Sequence, residues 1–273
     1  MIFPSESTPW VLITGASAGI GETFAKRLAR ENCNLILVAR SLDKLQMLAK
    51  DLESNCHIKT FVIQADLTER DSPRRVFEDI KRQGISLYGL INNAGCGAGG
   101  KFAEVELDRY LYMIDLNVRS LVELTHLFLP AMLRRKKGFI INVSSTASFQ
   151  PMPYFSVYAA TKAFVSFFSE ALWLETKKSG VRVLNLCPGL TKTDFGTAAG
   201  MRDFRLDPLA EDPQRVVEVA LNGLMKKNVP TIISGWHNRL LTILERLFPH
   251  RFVLWATNLV QNSRCSHYTG NHS

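Results

Sequence analysis

The sequence has no arrangement of cysteines that points to a metal site or a disulfide framework. Its five cysteines are Cys33, Cys56, Cys96, Cys187 and Cys265. Their number is odd, and they form no CxxC pair and no cluster with histidine. We therefore expect free thiols in a reducing, cytoplasmic compartment and no bound metal.

Signals for export, membrane insertion and repetition are also missing. Residues 1–9 show no basic region followed by an apolar run, and no apolar stretch is long and charge-free enough to span a bilayer. The sequence has no solenoid period and no low-complexity linker. A chain of 273 residues, 46% hydrophobic and 21% charged, then fits one α/β domain of ordinary composition.

Acidic residues are outnumbered by basic ones, and the net charge is +8. Such an excess suits an anionic cofactor, a nucleic acid or an acidic membrane surface. The charges are dispersed apart from the basic run 134–137, which Gly138 follows, so this run is typical of a solvated helix end. We expect no nucleic-acid partner.

Short apolar runs alternate with helical patterns along most of the chain. Strands are predicted at 10–13, 35–40, 59–64, 87–91, 139–143, 181–187 and 229–233. The helices predicted between them include 42–52, 69–82, 107–135 and 154–178. This order predicts an α/β fold, a three-layer doubly wound parallel sheet of the Rossmann type, whose ligands bind beyond the carboxyl ends of the strands.

A glycine-rich turn follows the first strand. Its residues include Gly15, Ser17, Ala18, Gly19, Ile20 and Gly21, in the spacing G-x-x-x-G-x-G. A strand, a glycine turn and a helix in this order direct backbone N–H groups at a phosphate. The alternative is a tight turn whose glycines only allow the helix to pack closely.

The end of the second strand indicates which dinucleotide binds. Ala39, Arg40 and Ser41 stand where an acid would bind the ribose 2′-hydroxyl of NAD. No carboxylate is present there to repel a phosphate, and a guanidinium can bind the 2′-phosphate of NADP in bidentate fashion. We predict NADP(H), and the alternative is an ordinary surface arginine.

Other polar or small residues follow the later strands. They are Asp66 and Leu67, then Asn93, Ala94 and Gly95, then Ser145 and Pro188. Asp66 would accept a hydrogen bond from an adenine amino group or cap the next helix, and Asn93 would bind the cofactor or form a turn. Asn117 falls inside a predicted helix, where asparagine is unfavourable, which favours a role in a site.

Tyr158 and Lys162 are four residues apart in a predicted helix, so their side chains share one face. A neighbouring ammonium lowers the pKa of a phenol, which lets the phenol exchange a proton with a carbonyl or alcohol oxygen. Taken alone, the pair also fits a half-buried tyrosine beside a solvated lysine.

Assembled in order, these residues resemble the short-chain dehydrogenase/reductase family over roughly residues 8–235. The matching motifs are Thr14-Gly15-x-x-x-Gly19-Ile20-Gly21, Asn92-Asn93-Ala94-Gly95, Asn117, Ser145, Tyr158-x-x-x-Lys162 and Pro188-Gly189. The resemblance implies a Rossmann-type fold and hydride transfer between a nicotinamide and a carbonyl or alcohol carbon. Within the family the chain is most similar to DltE-like reductases, whose proline-glycine strand end also continues into Leu-Thr-x-Thr.

The resemblance also implies four catalytic residues. Tyr158 would be the general acid/base, and Lys162 would bind the nicotinamide ribose and lower the pKa of Tyr158. Ser145, thirteen residues before Tyr158, would hold the substrate oxygen and is preferred to Ser144. Asn117 would hold a water that relays protons through Lys162.

Four further residues would contact the nicotinamide, according to the same resemblance. Pro188 and Gly189 would pack near the ring, and Leu190 and Thr193 would position its carboxamide. Many NADP-dependent relatives place a second basic residue in the glycine turn, where this chain has Ala18, so Arg40 is nearly alone. Relatives pair through the helices matching 102–135 and 154–178, which implies a homodimer or homotetramer.

Residues 236–262 continue beyond the point where many relatives end. They show apolar residues at helical spacing, a break at Pro249 and interleaved arginines. These helices would pack on the domain or a partner subunit, cover the substrate pocket, or bind a membrane surface as an amphipathic anchor, and packing is favoured. Residues 263–273 are polar and are predicted to be disordered.

The substrate pocket is predicted to be apolar. Residues 195–209 occupy the place of a substrate lid, and the aromatic or sulfur-containing side chains nearby are Phe149, Met152, Phe155, Met201 and Phe204. The alternative is that these side chains belong to the core. We predict an NADPH-dependent carbonyl reductase for a hydrophobic ketone, aldehyde, 3-oxoacyl or steroid-like substrate, with a non-catalytic dinucleotide-binding regulator as the alternative.

Overall fold

Parallel strands form one sheet in the order β3-β2-β1-β4-β5-β6-β7. A computed structural model of the chain describes residues 8–200, 204–226 and 229–265, without the side chains of residues 204, 226, 246 and 260–265. The strands are β1 (Trp10–Thr14), β2 (Asn34–Ala39), β3 (Thr60–Gln64), β4 (Leu87–Asn92), β5 (Gly138–Val143), β6 (Val181–Cys187) and β7 (Thr231–Ile233). The order reverses between β1 and β4, and that is where ligands bind in doubly wound sheets.

Helices connect the strands and cover both faces of the sheet. They are α1 (Gly19–Ala29), α2 (Leu42–Cys56), α3 (Ser72–Arg82), α4 (Leu107–Ile114), α5 (Ser120–Arg135), α6 (Ser156–Thr176), α7 (Phe195–Ala198), α8 (Pro213–Lys226), α9 (Trp236–Leu247) and α10 (His250–Cys265). The predicted Rossmann architecture is confirmed. Several boundaries differ by a few residues, and the predicted helix 107–135 is divided into α4 and α5. Helix α3 begins at Ser72 and not at residue 69, after a turn in which the Asp66 carboxylate accepts from Thr68.

The core lies on both faces of the sheet, which explains why most strand residues are apolar and do not alternate with polar ones. Val11 and Ile13 of β1 point to the face that α1, α2 and α8 cover, whereas Leu12 points to the opposite face, against α3, α5 and α6. All three side chains are fully buried. Strands of a parallel sheet that is covered on both faces are typically near-continuous apolar runs, whereas alternation of apolar and polar residues is typical of a sheet with one face in solvent.

A π-helical turn, Asp115–Arg119, joins α4 to α5. Asn117 lies in this turn and is only 2% exposed. Such turns widen a helix by one residue and are frequent at functional sites. The asparagine that looked out of place in a helix therefore stands at a local irregularity of the backbone.

The two C-terminal helices, α9 and α10, follow β7 and meet at Pro249, as the apolar pattern predicted. Helix α10 continues through Cys265, so residues 263–265 are helical and the prediction of disorder is wrong for them; residues 266–273 lie outside the described part of the chain. Of the predicted pocket residues, Met201 and the side chain of Phe204 also lie outside it.

Candidate active site

The glycine turn is tied to the end of β4 by side-chain hydrogen bonds. The Thr14 hydroxyl accepts from the backbone N–H groups of Asn93 and Ala94, each at 3.0 Å. The Asn93 side-chain amide donates to the carbonyl oxygens of Thr14 (2.9 Å) and Gly15 (3.2 Å). Asn93 is therefore more than a turn former, since it joins two strand ends across the switch point of the sheet.

Two glycines of the turn occupy positions where a side chain would be strained or would collide with neighbouring atoms. Gly15 has φ of +65°, and a Cβ on Gly21 would lie 2.2 Å from the Gly15 carbonyl oxygen and 2.5 Å from the Asn93 side-chain nitrogen. Helix α1 begins directly after this turn, and no side chain caps it. Uncapped N–H groups above a glycine cradle fit the pyrophosphate of a dinucleotide.

The end of β2 carries a guanidinium and no carboxylate. The Arg40 Nη1 atom donates to the Tyr112 hydroxyl oxygen at 2.8 Å, which holds the arginine at the cavity edge. Tyr112 was not predicted as a site residue, because its contact with Arg40 joins residues that are 72 positions apart. The Asp66 carboxylate borders the same cavity and accepts from Thr68, so it also orders its own turn.

Tyr158 and Ser145 meet at the end of β5. Their side chains are hydrogen-bonded to each other. The Ser144 hydroxyl donates to the Lys162 carbonyl oxygen at 2.7 Å and contacts the Ser166 hydroxyl at 2.9 Å. Ser144 is therefore buried, and its hydroxyl already has hydrogen-bond partners within the protein. The geometry therefore agrees with the choice of Ser145 over Ser144.

Lys162 is buried and not solvated, so the solvated-lysine alternative is wrong. It is 5% exposed, and its Nζ atom donates to the Val143 carbonyl oxygen at 3.0 Å and lies 5.8 Å from the centre of the Tyr158 ring. Burial disfavours the charged form and lowers the pKa of Lys162 to about 8.

The expectation that the Tyr158 pKa is lowered is wrong for the protein chain alone. Burial raises the pKa of Tyr158 to about 12, and the hydrogen bond from Ser145 opposes this rise only in part. The phenol is 9% exposed, and removing a phenolate from water costs more than one hydrogen bond recovers. Near neutral pH the tyrosine is therefore protonated and able to donate.

Asn117 acts on the backbone around the site. Its Oδ1 atom accepts from the Cys96 N–H at 3.0 Å, and its Nδ2 atom donates to the Cys96 carbonyl (2.9 Å) and to the Thr161 hydroxyl (3.0 Å). A Cβ on Gly95 would lie 3.1 Å from Asn117 Oδ1 and 3.2 Å from Lys162 Nζ. The side chain thus joins the loop after β4 to α6, and its water-holding role stays a prediction.

One cavity of about 810 Å³ collects nearly all the predicted site residues. Those that line it are Gly15, Ser17, Ala18, Gly19, Ile20, Arg40, Ser41, Asp66, Leu67, Asn93, Ala94, Gly95, Ser145, Tyr158, Lys162, Pro188, Gly189, Leu190 and Thr193. Gly21 and Asn117 do not line it, but they lie next to residues that do: Gly21 beside Gly15 and Asn93, and Asn117 beside Gly95. Met152 and Phe155 line it as predicted, whereas Phe149 does not.

The far wall of the cavity comes from α9 and α10. The lining side chains there include His237, Asn238, Leu241, Leu244, Glu245, Phe248, Phe252 and Val253. Glu245 has a buried Oε2 atom without a hydrogen-bond partner in the described part of the chain, and burial raises its pKa to about 7. The sequence left open whether these two helices cover the pocket, because helical periodicity alone does not show which face of a helix turns towards the domain.

Comparison with known proteins agrees with this geometry. Residues 9–202 match the short chain dehydrogenase family. The chain belongs to the short-chain dehydrogenase/reductase family. It is 37% identical over 233 residues to the very-long-chain 3-oxoacyl-CoA reductase of Anas platyrhynchos, a match that covers 83% of this chain and 74% of that protein.

Two solved structures are similar over almost the whole chain. A short-chain dehydrogenase from Sphingobium yanoikuyae in complex with NADPH is 31% identical with a TM-score of 0.79, and the match covers 97% of this chain and 96% of that one. The bulky-bulky ketone specific alcohol dehydrogenase from Comamonas testosteroni is 29% identical with a TM-score of 0.75 and the same coverage. None of these names bears on the DltE-like likeness, which stays a prediction.

Family membership, together with the assembled site, makes this chain an oxidoreductase that binds a nicotinamide dinucleotide. Its relatives are named as reductases and dehydrogenases, which does not favour a non-catalytic regulator. The residues also fit the cofactor, because the glycine turn, the uncapped start of α1 and Arg40 all border one cavity.

Proposed function

We propose that this protein reduces the carbonyl group of a bulky, hydrophobic substrate with NADPH. The observation that carries the proposal is a buried Tyr158, hydrogen-bonded to Ser145, inside a cavity that is lined largely by apolar side chains. A neutral phenol is the form that can donate a proton to a carbonyl oxygen.

The chain's own groups would position the substrate oxygen and supply its proton. A bound nicotinamide supplies a hydride to the carbonyl carbon. The hydroxyls of Ser145 and Tyr158 would donate to the carbonyl oxygen and stabilise the charge that develops on it. Tyr158 then gives up its proton, and the buried ammonium of Lys162 favours the phenolate that this leaves.

Preference for NADPH over NADH is part of the proposal. Arg40 borders the cavity at the end of β2, where no carboxylate stands, and Tyr112 holds its guanidinium. The similar Sphingobium enzyme was solved with NADPH. A positive group at this place would bind a 2′-phosphate and gain less from a 2′-hydroxyl.

An apolar substrate is supported by the side chains around Tyr158. A buried cluster beside it includes Ala98, Tyr110, Met113, Ala147 and Phe155, and Phe195 lies 5.5 Å from its ring, centre to centre. The aromatic side chains of Phe248 and Phe252, whose rings lie 5.0 Å apart, also line the cavity. Relatives named for very-long-chain 3-oxoacyl-CoA and for bulky-bulky ketones point to the same class of substrate.

The test is NADPH oxidation with three carbonyl classes: small ketones, long-chain 3-oxoacyl thioesters and ketones with two bulky substituents. We expect turnover with one of the two large classes and little with small ketones. Tyr158→Phe should lower kcat by a factor of about 10³ and leave NADPH binding unchanged. Tyr88→Phe, on a half-buried tyrosine outside the cavity, is the control, and full activity of Tyr158→Phe would remove the proposed acid.

We also propose a homo-oligomer that forms through α4, α5 and α6. The helices carry large exposed side chains, among them Leu107 (65%), Phe167 (74%) and Leu174 (65%). Solvent-exposed apolar groups of this size are typical of subunit interfaces. Sedimentation of the purified protein should give a dimer or tetramer, and Phe167→Glu should shift it towards the monomer.

A cytoplasmic location is a further proposal. Cys33, Cys56, Cys96 and Cys187 are free thiols, which suits a reducing compartment. Within residues 8–200, 204–226 and 229–265, none of the helices combines the length and the apolar composition that crossing a bilayer requires.

A further inference from the structure

Helix α9 exposes a row of large apolar side chains that the cavity does not use. This outer stripe consists of Trp236, Leu240, Ile243 and Leu247, with exposures of 73%, 49%, 57% and 74%. Their spacing of four, three and four residues places them on one face of the helix. Soluble proteins seldom leave such a row in contact with water unless something covers it.

The other faces of α9 already have neighbours. His237, Leu241 and Leu244 line the cavity. Asn238 and Thr242 are buried against the domain, where the Asn238 amide donates to the Ser234 carbonyl at 2.8 Å. The outer stripe is therefore neither core nor pocket wall.

Helix α10 continues the exposed apolar surface. Trp255 and Leu259, one turn apart, are 58% and 50% exposed, while Phe252 and Val253 of the same helix line the cavity. Both C-terminal helices thus have one side at the cavity and one apolar side in solvent. Each also carries an exposed tryptophan, a side chain that favours the boundary between lipid and water.

Along the sequence of these two helices the charged residues are almost all positive. Residues 236–265 contain four arginines, Arg239, Arg246, Arg251 and Arg264, and one acid, Glu245. The Glu245 side chain lines the cavity, whereas Arg239 and Arg251 are exposed. In a two-fold contact between copies the same surface meets itself, so arginines would face arginines with little acidic compensation. An anionic partner fits this surface better than a second copy does.

We propose that the outer stripe and the exposed side of α10 bind the surface of a membrane that contains anionic lipids. The apolar side chains would enter the boundary between headgroups and acyl chains, and the arginines would contact the lipid phosphates. The interaction does not depend on the catalytic assignment, because none of the outer-stripe residues touches the cavity.

Sedimentation of the full-length protein with vesicles tests the proposal. We expect it to pellet with vesicles of phosphatidylcholine that contain about one-third phosphatidylglycerol and to stay in solution with pure phosphatidylcholine. Added salt should weaken the interaction, because it screens the arginines. Tryptophan emission should shift to the blue only with the anionic vesicles.

Two sets of variants locate the contact. The double variant Ile243→Ser, Leu247→Ser should lower anionic vesicle binding by at least about tenfold, and Arg239→Glu with Arg251→Glu should do the same. Met47→Ser is the matched control, since Met47 (73%) and Leu247 (74%) are almost equally exposed and Met47 lies on α2, away from the proposed subunit interface. Unchanged cofactor binding will show that each variant is folded. If the serine variant fails to fold, the charge variant still tests the proposal.

Three results would overturn the proposal. One is failure of the folded wild-type protein to bind anionic vesicles at low salt. Another is equal binding by the wild-type protein and both sets of variants. The third is a concentration-dependent self-association that the serine variant abolishes while vesicles bind neither protein, because a second copy would then cover the stripe.

Discussion

The two ends of the cavity are built in different ways. At the cofactor end, the glycine turn is fixed by backbone geometry and by hydrogen bonds that join strand ends, such as those of Asn93 to β1. At the far end, the wall comes from side chains of the α9–α10 region, and four of its apolar side chains, Leu241, Leu244, Phe248 and Phe252, are more than one-third exposed. A constrained end suits a cofactor of fixed shape, whereas a wall made by side chains can vary with the substrate.

The cofactor end should be intolerant of even one added methyl group. In Gly21→Ala the new Cβ would start 2.2 Å from the Gly15 carbonyl, so the turn must shift. We expect NADPH affinity to fall at least about 100-fold, or about 3 kcal/mol, in a fluorescence titration. Gly84→Ala is the control: it also strains a backbone with φ of +65°, but its Cβ would have no atom within 4 Å and it lies outside the cavity. Equal losses of affinity in both variants would contradict a specific role of Gly21.

Arg40→Ala probes the same end with a smaller effect. Loss of a charge-assisted contact should raise the NADPH dissociation constant about 10- to 100-fold and change that for NADH much less. Titration with both cofactors measures the ratio, and Lys50→Ala, an exposed cation on α2, is the control. Similar losses for both cofactors would disprove the selectivity for the 2′-phosphate.

Glu245 makes the far end sensitive to pH. Its pKa is about 7 in the folded protein against an ordinary value of 4.5, so between these values the folded state holds a proton that the unfolded state has released. Stability should therefore fall as pH rises from 4.5 to 7, by about 1–3 kcal/mol. Thermal unfolding from pH 4.5 to 8 should show this loss in the wild type and not in Glu245→Gln. Glu175→Gln, on exposed α6 surface, should behave like the wild type.

Asn238 should control only the attachment of α9. Asn238→Ala removes the hydrogen bond to Ser234 and the contact with Gly189, which we expect to cost about 1 kcal/mol locally. Hydrogen exchange of α9 amides should become severalfold faster, while β1 and β4 amides stay protected. Asn258→Ala, on exposed α10 surface, is the control. Equal acceleration in β1 would show that both ends of the cavity unfold together.

Predictability from sequence differed between these regions for a physical reason. Strand ends, the glycine turn and the Tyr158–Lys162 spacing depend on local backbone geometry, so the cofactor-binding rim of the sheet could be predicted residue by residue. The contact of Arg40 with Tyr112 and the place of Glu245 depend on segments far apart in the chain. For the protein chain alone, the pKa shift of Tyr158 was predicted with the wrong sign, because spacing shows the neighbouring lysine and not the loss of solvent.

The sequence by itself determined the parallel sheet, the nucleotide turn and the residues able to exchange a proton, because each follows from periodicity or from fixed spacing within one element. Only the tertiary structure decided which face of α9 meets the cavity, how deeply Tyr158 and Lys162 are buried, and which apolar side chains remain in solvent. Burial is a property of the assembled layers, and no single segment carries it.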